Sequence, residues 1–321
     1  MNTQDLDNHP IFKKAKRAIA LTRTPGYHFC GNFFDFVYDN ASSKHSEVHI
    51  DPEPQNTDHD QSVHLVLLAI LADMGLATGI RYGLDDRTRL ATVSLSLQFT
   101  GARPTGRVVA VTDTQGHLQG AKGGQGVSLT HIKADNTLIA VGYGAFMILP
   151  VPNGASLPAV PWVEKKAPVD PPLDLQTLTN DEKWILERVK ASIEHCERTG
   201  EDFASHFLNF HPHSQERGAY CEVLNGPHVA NRVGHVQGGV ILALGMVTAN
   251  AALGEEWMLS GVTATYISPG EGEAIHAQSK IIHQGRMTAV VQTSIYNKTG
   301  RQALEVLTTH ARRADLAAKP L

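Results

Sequence analysis

Cysteine is scarce in this chain: only Cys30, Cys196 and Cys221 occur in 321 residues, far apart and in no CxxC spacing. That excludes a disulfide framework and a zinc ribbon, and favours a reducing compartment. Positive charge is also in short supply, with 28 Lys and Arg against 32 Asp and Glu and a net charge of -4. The longest basic cluster, Lys13-Lys14 with Lys16-Arg17, reads as the solvated face of a helix, so no nucleic-acid partner is expected. Aromatic residues make up 6% of the chain. None cluster near the residues singled out below, which leaves both aryl and alkyl ligands open. The opening stretch, Met1 to Pro10, is polar and acidic, unlike a secretory leader. The most apolar run, Val63 to Ile80, carries His64, Asp73, Gly75 and Gly79. A lone aspartate in a bilayer would cost about 2.5–3.5 kcal/mol. The expectation is therefore a buried helix in a soluble, cytoplasmic protein without membrane contact.

What the chain does have is length and apolar content. Its 321 residues are about twice the usual single-domain size. At 42% hydrophobic and 19% charged it can bury a substantial core. The clearest break is proline-rich, from Pro150 to Asp174, an extended and semi-rigid composition. It predicts an N-terminal unit at 1–150, a linker at 151–178 and a C-terminal unit at 179–321.

The two units share one plan. Each opens with an amphipathic helix, Pro10 to Leu21 and Asp181 to Arg198, the second capped by Thr179 or Asn180. After an irregular stretch each has one long apolar helix, Val63 to Arg81 and Gln237 to Leu253. Four strands are then expected in each unit. They run Leu90–Thr100, Gly106–Thr112, Gly126–Lys133 and Thr137–Leu149 in the first, and Met258–Ser268, Glu273–His283, Met287–Asn297 and Gln302–Arg312 in the second. Alternation such as Thr92-Val93-Ser94-Leu95-Ser96-Leu97 marks half-buried antiparallel strands. A helix apolar nearly all round must be covered by both a sheet and a partner, which gives an α+β class with a sheet wrapped around a helix.

The segment Asn231-Arg232-Val233-Gly234-His235-Val236-Gln237-Gly238-Gly239 resembles the N-x-x-G-x-x-H-G-G signature of hotdog-fold thioesterases of the phenylacetate-pathway type, and Ile281-Ile282-His283-Gln284-Gly285-Arg286-Met287 is similar to that family's central strand pair. The resemblance covers most of 203–313 and, more weakly, most of 27–150. It implies a double hotdog: two repeats, each an antiparallel sheet wrapped around a long central helix, paired within one chain. It also implies an acyl-CoA substrate, thioester hydrolysis, no metal or redox cofactor, and homo-oligomers of such chains.

In that family an Asp or Glu follows the signature His by nine positions. In the second unit Gln237 takes the His place, Gly238-Gly239 are kept and the acid place is Met246. In the first, His64 takes the His place, Leu65-Val66 replace the glycines and the acid place is Asp73. Neither set is complete, but together they make one. Nine helical residues rise about 13.5 Å, so the acid and the amides must come from different helices. One live site per chain is expected, with Asp73 as general base or nucleophile, Gly238 and Gly239 as oxyanion donors, and Gln237 and Asn231 orienting water or thioester. Its counterpart, with Met246, Leu65 and Val66, would be dead.

His64, Gly285 and Arg286 are candidate substrate contacts, and Arg286, Arg301, Arg312 and Arg313 candidates for phosphates. The glycines Gly116, Gly120, Gly123, Gly124 and Gly126 lack the P-loop spacing and read as a hairpin loop. His206, His211 and His213 match no standard metal spacing. His49-Ile50-Asp51-Pro52 bears a faint likeness to the motif of hotdog enoyl-thioester hydratases, but the element that precedes it there is missing. The competing readings are a silent acyl-CoA-binding protein and an enoyl-CoA hydratase. In the blandest one, Asp73 is an ordinary helix residue and the glycines serve only packing.

Overall fold

The computed structural model describes residues 3–118, 124–151, 154–158 and 172–314. The two leading helices form close to the expected bounds. After a short α1 (Thr3–Asn8), α2 runs Pro10–Thr22 with its proline in the first turn, where a missing N–H costs nothing. The second leading helix, Asn180–Thr199, has a full capping box between Thr179 and Glu182 and ends on left-handed Gly200.

The stretches expected to be irregular are ordered in both halves. The first holds α3 (Phe29–Phe33), β1 (Val37–Ala41) and β2 (His45–Ile50). The second holds a helix at Phe203–Leu208 and strands β7 (His213–Gln215) and β8 (Gly218–Leu224). Each half therefore contributes six strands rather than four. These pieces are short, and β7 is exposed throughout, so they carry no alternation to read.

The long apolar helices are α4 (Leu65–Tyr82), capped by His64, and α7 (Gly238–Leu253), capped by Gln237. Numbering the remaining helices in chain order, Asn180–Thr199 is α5 and Phe203–Leu208 is α6. In the first half β3 (Thr88–Phe99), β4 (Val108–His117), β5 (Gln125–Ala134) and β6 (Thr137–Pro150) follow α4. In the second, β9 (Trp257–Tyr266), β10 (Ala274–Gln284), β11 (Thr288–Asn297) and β12 (Gln302–Arg312) follow α7. All twelve join one antiparallel sheet in the order β1-β2-β4-β5-β6-β3-β9-β12-β11-β10-β8-β7. Read from its two ends the order is the same, with β3 and β9 paired at the centre through Ser94–Gln98 and Gly261–Thr265.

The sheet's inner face covers α4 and α7, which pack on each other, and one core cluster runs through both halves. That double cover explains helices with no polar face. Among the described residues α4 is the one helix long and apolar enough to cross a membrane, but 78% of that span is buried inside the fold. Five phenylalanines, Phe29, Phe33 and Phe34 from one half with Phe203 and Phe207 from the other, pack at centroid distances of 5.0–6.3 Å and tie α3 to the second half.

Of the proline-rich linker, 152–153 and 159–171 fall outside the described residues, as do Gly120 and Gly123. Gly116 and Gly126 belong to β4 and β5, which pair antiparallel.

Candidate active site

Asp73 sits two turns into α4 and is 7% exposed. The α4–α7 packing brings it to the N-terminus of α7. Its Oδ2 accepts from Gln237 Nε2 at 3.2 Å, and its Oδ1 from the Thr92 hydroxyl at 3.0 Å. Gln237 also caps α7, because its Oε1 accepts from the Val240 N–H at 3.1 Å. With Val240 so engaged and the Gly239 N–H donating to Asp73, the amide of the first turn left without a partner among the described residues is that of Gly238. Burial pushes the Asp73 carboxyl up to about 6, against hydrogen bonds from Thr92 and the Gly239 N–H that hold it down.

The glycines are needed for space. A Cβ on Gly238 would lie 2.9 Å from Asp73 Oδ2 and 3.2 Å from Thr92 Oγ1. On Gly239 it would lie 2.5 Å from Ile70 Cα, so only glycine lets the two helices approach this closely. The Tyr266 hydroxyl on β9 donates to the Gly238 carbonyl at 2.8 Å and fixes that turn. Burial and the neighbouring Asp73 charge raise its ionisation far above the ordinary phenol range.

Thr92 and Tyr266 were not singled out in the sequence, and Thr92 was hidden by strand parity. Leu95 and Leu97 point into the core, so strict alternation sends Thr92 outward. A bulge between Thr92 and Ser94 adds one residue to β3 and turns Thr92 to the helix side.

A cavity of about 1020 Å³ opens from Asp73, lined on one side by α3 and β1 and on the other by Asn231, Arg232 and Val233 of the second half. Asn231 therefore lies on the cavity, but its Oδ1 is spent on the N–H groups of Val233 and His235, bracing the loop before α7. Asp58 braces the matching loop before α4 in the same way, through Asp60 and Ser62.

His64 does not line this cavity. Its Nδ1 accepts from the Val66 N–H at 3.2 Å, and its Nε2 lies 3.1 Å from Ser205 Oγ and 3.5 Å from Asp202 Oδ1. With Nδ1 accepting, the proton sits on Nε2, so His64 cannot take one from Ser205. It is a helix cap tied to the other half, kept neutral by burial. A smaller cavity of about 320 Å³ lies at this end, lined by Asp58, Asp60, Leu65, Leu68, Asn250 and others. Met246, the position matching Asp73, is fully buried.

Gly285 and the exposed Arg286 form the β10–β11 turn, beside the β12 end that pairs with Trp257 after the C-terminus of α7. They are thus at the opposite end of α7 from Asp73. Arg301 is exposed in the β11–β12 turn, Arg312 pairs with Glu256, and Arg313 lines the smaller cavity.

His206 stacks on His195 and bonds Ser192, while His211 pairs with Glu201 and His213 is exposed. Among the described residues no three His, Cys, Asp or Glu side chains are arranged to hold a metal ion. Asp51 of the His49-Ile50-Asp51-Pro52 stretch is held by Arg107 at 2.7 and 2.9 Å.

No protein-family model matches the chain. No curated protein matches it either. Solved structures do. A protein assigned as an oleoyl thioesterase from Lactobacillus plantarum is 11% identical, with 85% of this chain and 98% of that one covered and a TM-score of 0.51. The 12:0-ACP thioesterase from Umbellularia californica is 11% identical over 84% and 94%, also at 0.51. A Bacillus halodurans protein solved with CoA is 23% identical over 44% and 98%, at a TM-score of 0.38. At these identities the first two likenesses show a shared fold.

Proposed function

We propose that this chain is an acyl-CoA thioesterase built as a tandem hotdog of the phenylacetate-pathway type, with units at 1–150 and 179–321 and a single composite site between them. The observation that carries this reading is the meeting of a buried carboxylate, Asp73, with the Gly238-Gly239 turn that opens the other long helix, where Gly239 donates its N–H to Asp73 and the Gly238 amide is left for a ligand.

Hydrolysis of a thioester needs a base near neutrality and donors aimed at a developing oxyanion in a dry place. Asp73 takes a proton from a water whose oxygen attacks the thioester carbon. The carbonyl electron pair moves to oxygen, which the Gly238 amide stabilises at the positive end of the helix dipole. The intermediate collapses, the C–S bond breaks, and the thiolate leaves with the proton held by Asp73. Both Asp73 oxygens already accept hydrogen bonds, which favours the base role over direct attack on the carbonyl. Thr92 and Gln237 position the carboxylate, Tyr266 holds the glycine turn, and Asn231 shapes the cavity wall.

The test is release of free thiol from a panel of acyl-CoA esters, with Asp73→Asn and Asp73→Ala as controls. Turnover unchanged by both substitutions removes Asp73 from the mechanism. Tight binding without turnover makes the chain a silent acyl-CoA binder, and an absorbance change on an enoyl thioester without thiol makes it a hydratase.

Among the described residues β1 and β7 end the sheet with no further strand beside them, and self-association of the chain through them is part of the proposal, read out by sedimentation. The three free cysteines suit the cytoplasmic location proposed with it.

A further inference from the structure

The cavity that opens from Asp73 has a second chemical feature. Arg81, Arg89 and Arg232 all line it, and the Nε of each is buried without a hydrogen-bond partner among the described residues. Arg81 donates to the carbonyls of Thr88 at 2.5 Å and Asp85 at 3.3 Å, and Arg232 to that of Pro158. Among the described residues none of the three pairs with a carboxylate.

The acids on the same cavity are otherwise engaged. Asp35 is held by Lys14 and Arg17, Asp39 by His49, Asp51 by Arg107 and Glu53 by Lys14, while Asp73 accepts from Thr92 and Gln237. Burial, and then the positive charge of Arg81, push Arg232 down to about 10. Burial also lowers Arg81, against the pull of Asp85 and Asp86, both of which are exposed. Guanidinium groups desolvated side by side without a counter-ion are costly, and an anion between them removes that cost.

The placement relative to Asp73 follows from the elements. Arg81 is eight residues further along α4, about 12 Å of helical rise. Arg89 is three residues before Thr92 on β3, about 10 Å of strand.

We propose that Arg81, Arg89 and Arg232 form an anion subsite for an oxyanion carried by the thioester itself, either the phosphoryl group of its phosphopantetheine arm or a carboxylate at the far end of its acyl group. This rests on the thioesterase reading for what enters the cavity, but binding tests it independently of turnover.

Titration calorimetry on the full chain, with phosphopantetheine against pantetheine and sebacate against decanoate, separates the two sources. The wild type is expected to prefer the anionic member of one pair by about ten-fold, the size of a charge-assisted hydrogen bond. That preference is expected to vanish in Arg232→Gln and Arg89→Gln, while affinity for the uncharged-end partner is kept. Retained partner binding also shows that the variants are folded. The Arg89 side chain donates no hydrogen bond among the described residues, so Arg89→Gln carries the test should Arg232→Gln fail to melt cooperatively. No preference in the wild type, or a preference that persists in both variants, overturns the subsite. An arginine-dependent preference without thiol release from any acyl-CoA leaves the subsite standing and removes the thioesterase reading.

Discussion

The Asp73 carboxylate and the Gln237 side-chain amide meet at 3.2 Å although 164 residues separate them in the chain. Gln237 spends its other end on the first turn of α7, so one side chain fixes both the acid and the helix terminus that faces it. Any movement of α4 against α7 disturbs both at once.

Asp73→Asn and Asp73→Ala are expected to lower kcat by at least about a thousand-fold, within the range seen when a positioned proton acceptor is lost. In the wild type kcat/KM should fall as the pH drops through about 6, where the buried carboxyl takes up its proton. A profile flat from pH 5 to 8 would remove Asp73 as the base.

The same group makes a stability prediction with a defined sign. Its folded value of about 6 lies above the ordinary 3.8, because burial disfavours the charged form. The cost of ionising it is absent below about pH 4 and complete above about pH 6. It amounts to on the order of 3 kcal/mol at 1.36 kcal/mol per pKa unit. Between pH 4 and pH 8 the stability of Asp73→Asn should therefore improve relative to wild type by up to that amount. Denaturant titration at the two pH values measures the change, and any constant effect of the substitution cancels.

Removing either side-chain donor to Asp73 should move the acid limb of the activity profile to higher pH, since both donors favour the ionised form. Thr92→Val tests this with little change of shape. Gln237→Ala should shift the limb in the same direction and also lose about 1 kcal/mol of helix capping. Limbs that stay in place would mean that these hydrogen bonds do not form during turnover.

The two glycines should fail differently. In Gly239→Ala the added Cβ meets Ile70 backbone at 2.5 Å, so a stability loss of about 1–3 kcal/mol is expected from overpacking between the helices. In Gly238→Ala the Cβ meets the Asp73 and Thr92 side chains. There the melting temperature should change less, while kcat falls by about a hundred-fold or more as the carboxylate is displaced. Calorimetric melts beside initial rates separate the two patterns.

His228 is fully buried against Trp184 and Phe207, with neither ring nitrogen hydrogen-bonded among the described residues. Burial pushes it down to about 3, so it is neutral when folded and takes up a proton on unfolding below about pH 6.5. Its contribution to stability is present above pH 6.5 and is lost as the pH falls toward 3. His228→Phe should flatten the acid side of the stability curve, as followed by melting temperature between pH 4 and 7.

Periodicity and turn chemistry made much of this architecture readable. The long apolar helices, the Thr179 cap and seven of the eight later strands lie within a residue or two of their expected places, while β4 runs to His117, five residues beyond the expected Thr112. Short edge strands with exposed faces gave no such signal. A repeated pattern was nevertheless there to find: Phe29-Cys30-Gly31-Asn32-Phe33-Phe34-Asp35-Phe36 matches Phe203-Ala204-Ser205-His206-Phe207-Leu208-Asn209-Phe210. In both copies a helix closes on a left-handed residue, Asp35 and Asn209.

The sequence alone determined that Asp73 lies on a helix with no wet face, and that glycines open the other long helix, because local composition and spacing fix both. It also supplied the pairing of two incomplete sets. Only the tertiary structure decided that Thr92 turns inward at a bulge, that Asn231 braces a loop, that His64 is a cap at the opposite site, and that Arg286 lies far from Asp73. Each depends on which way a side chain points after long-range pairing is complete, and a single strand or loop read by itself carries no record of its partner.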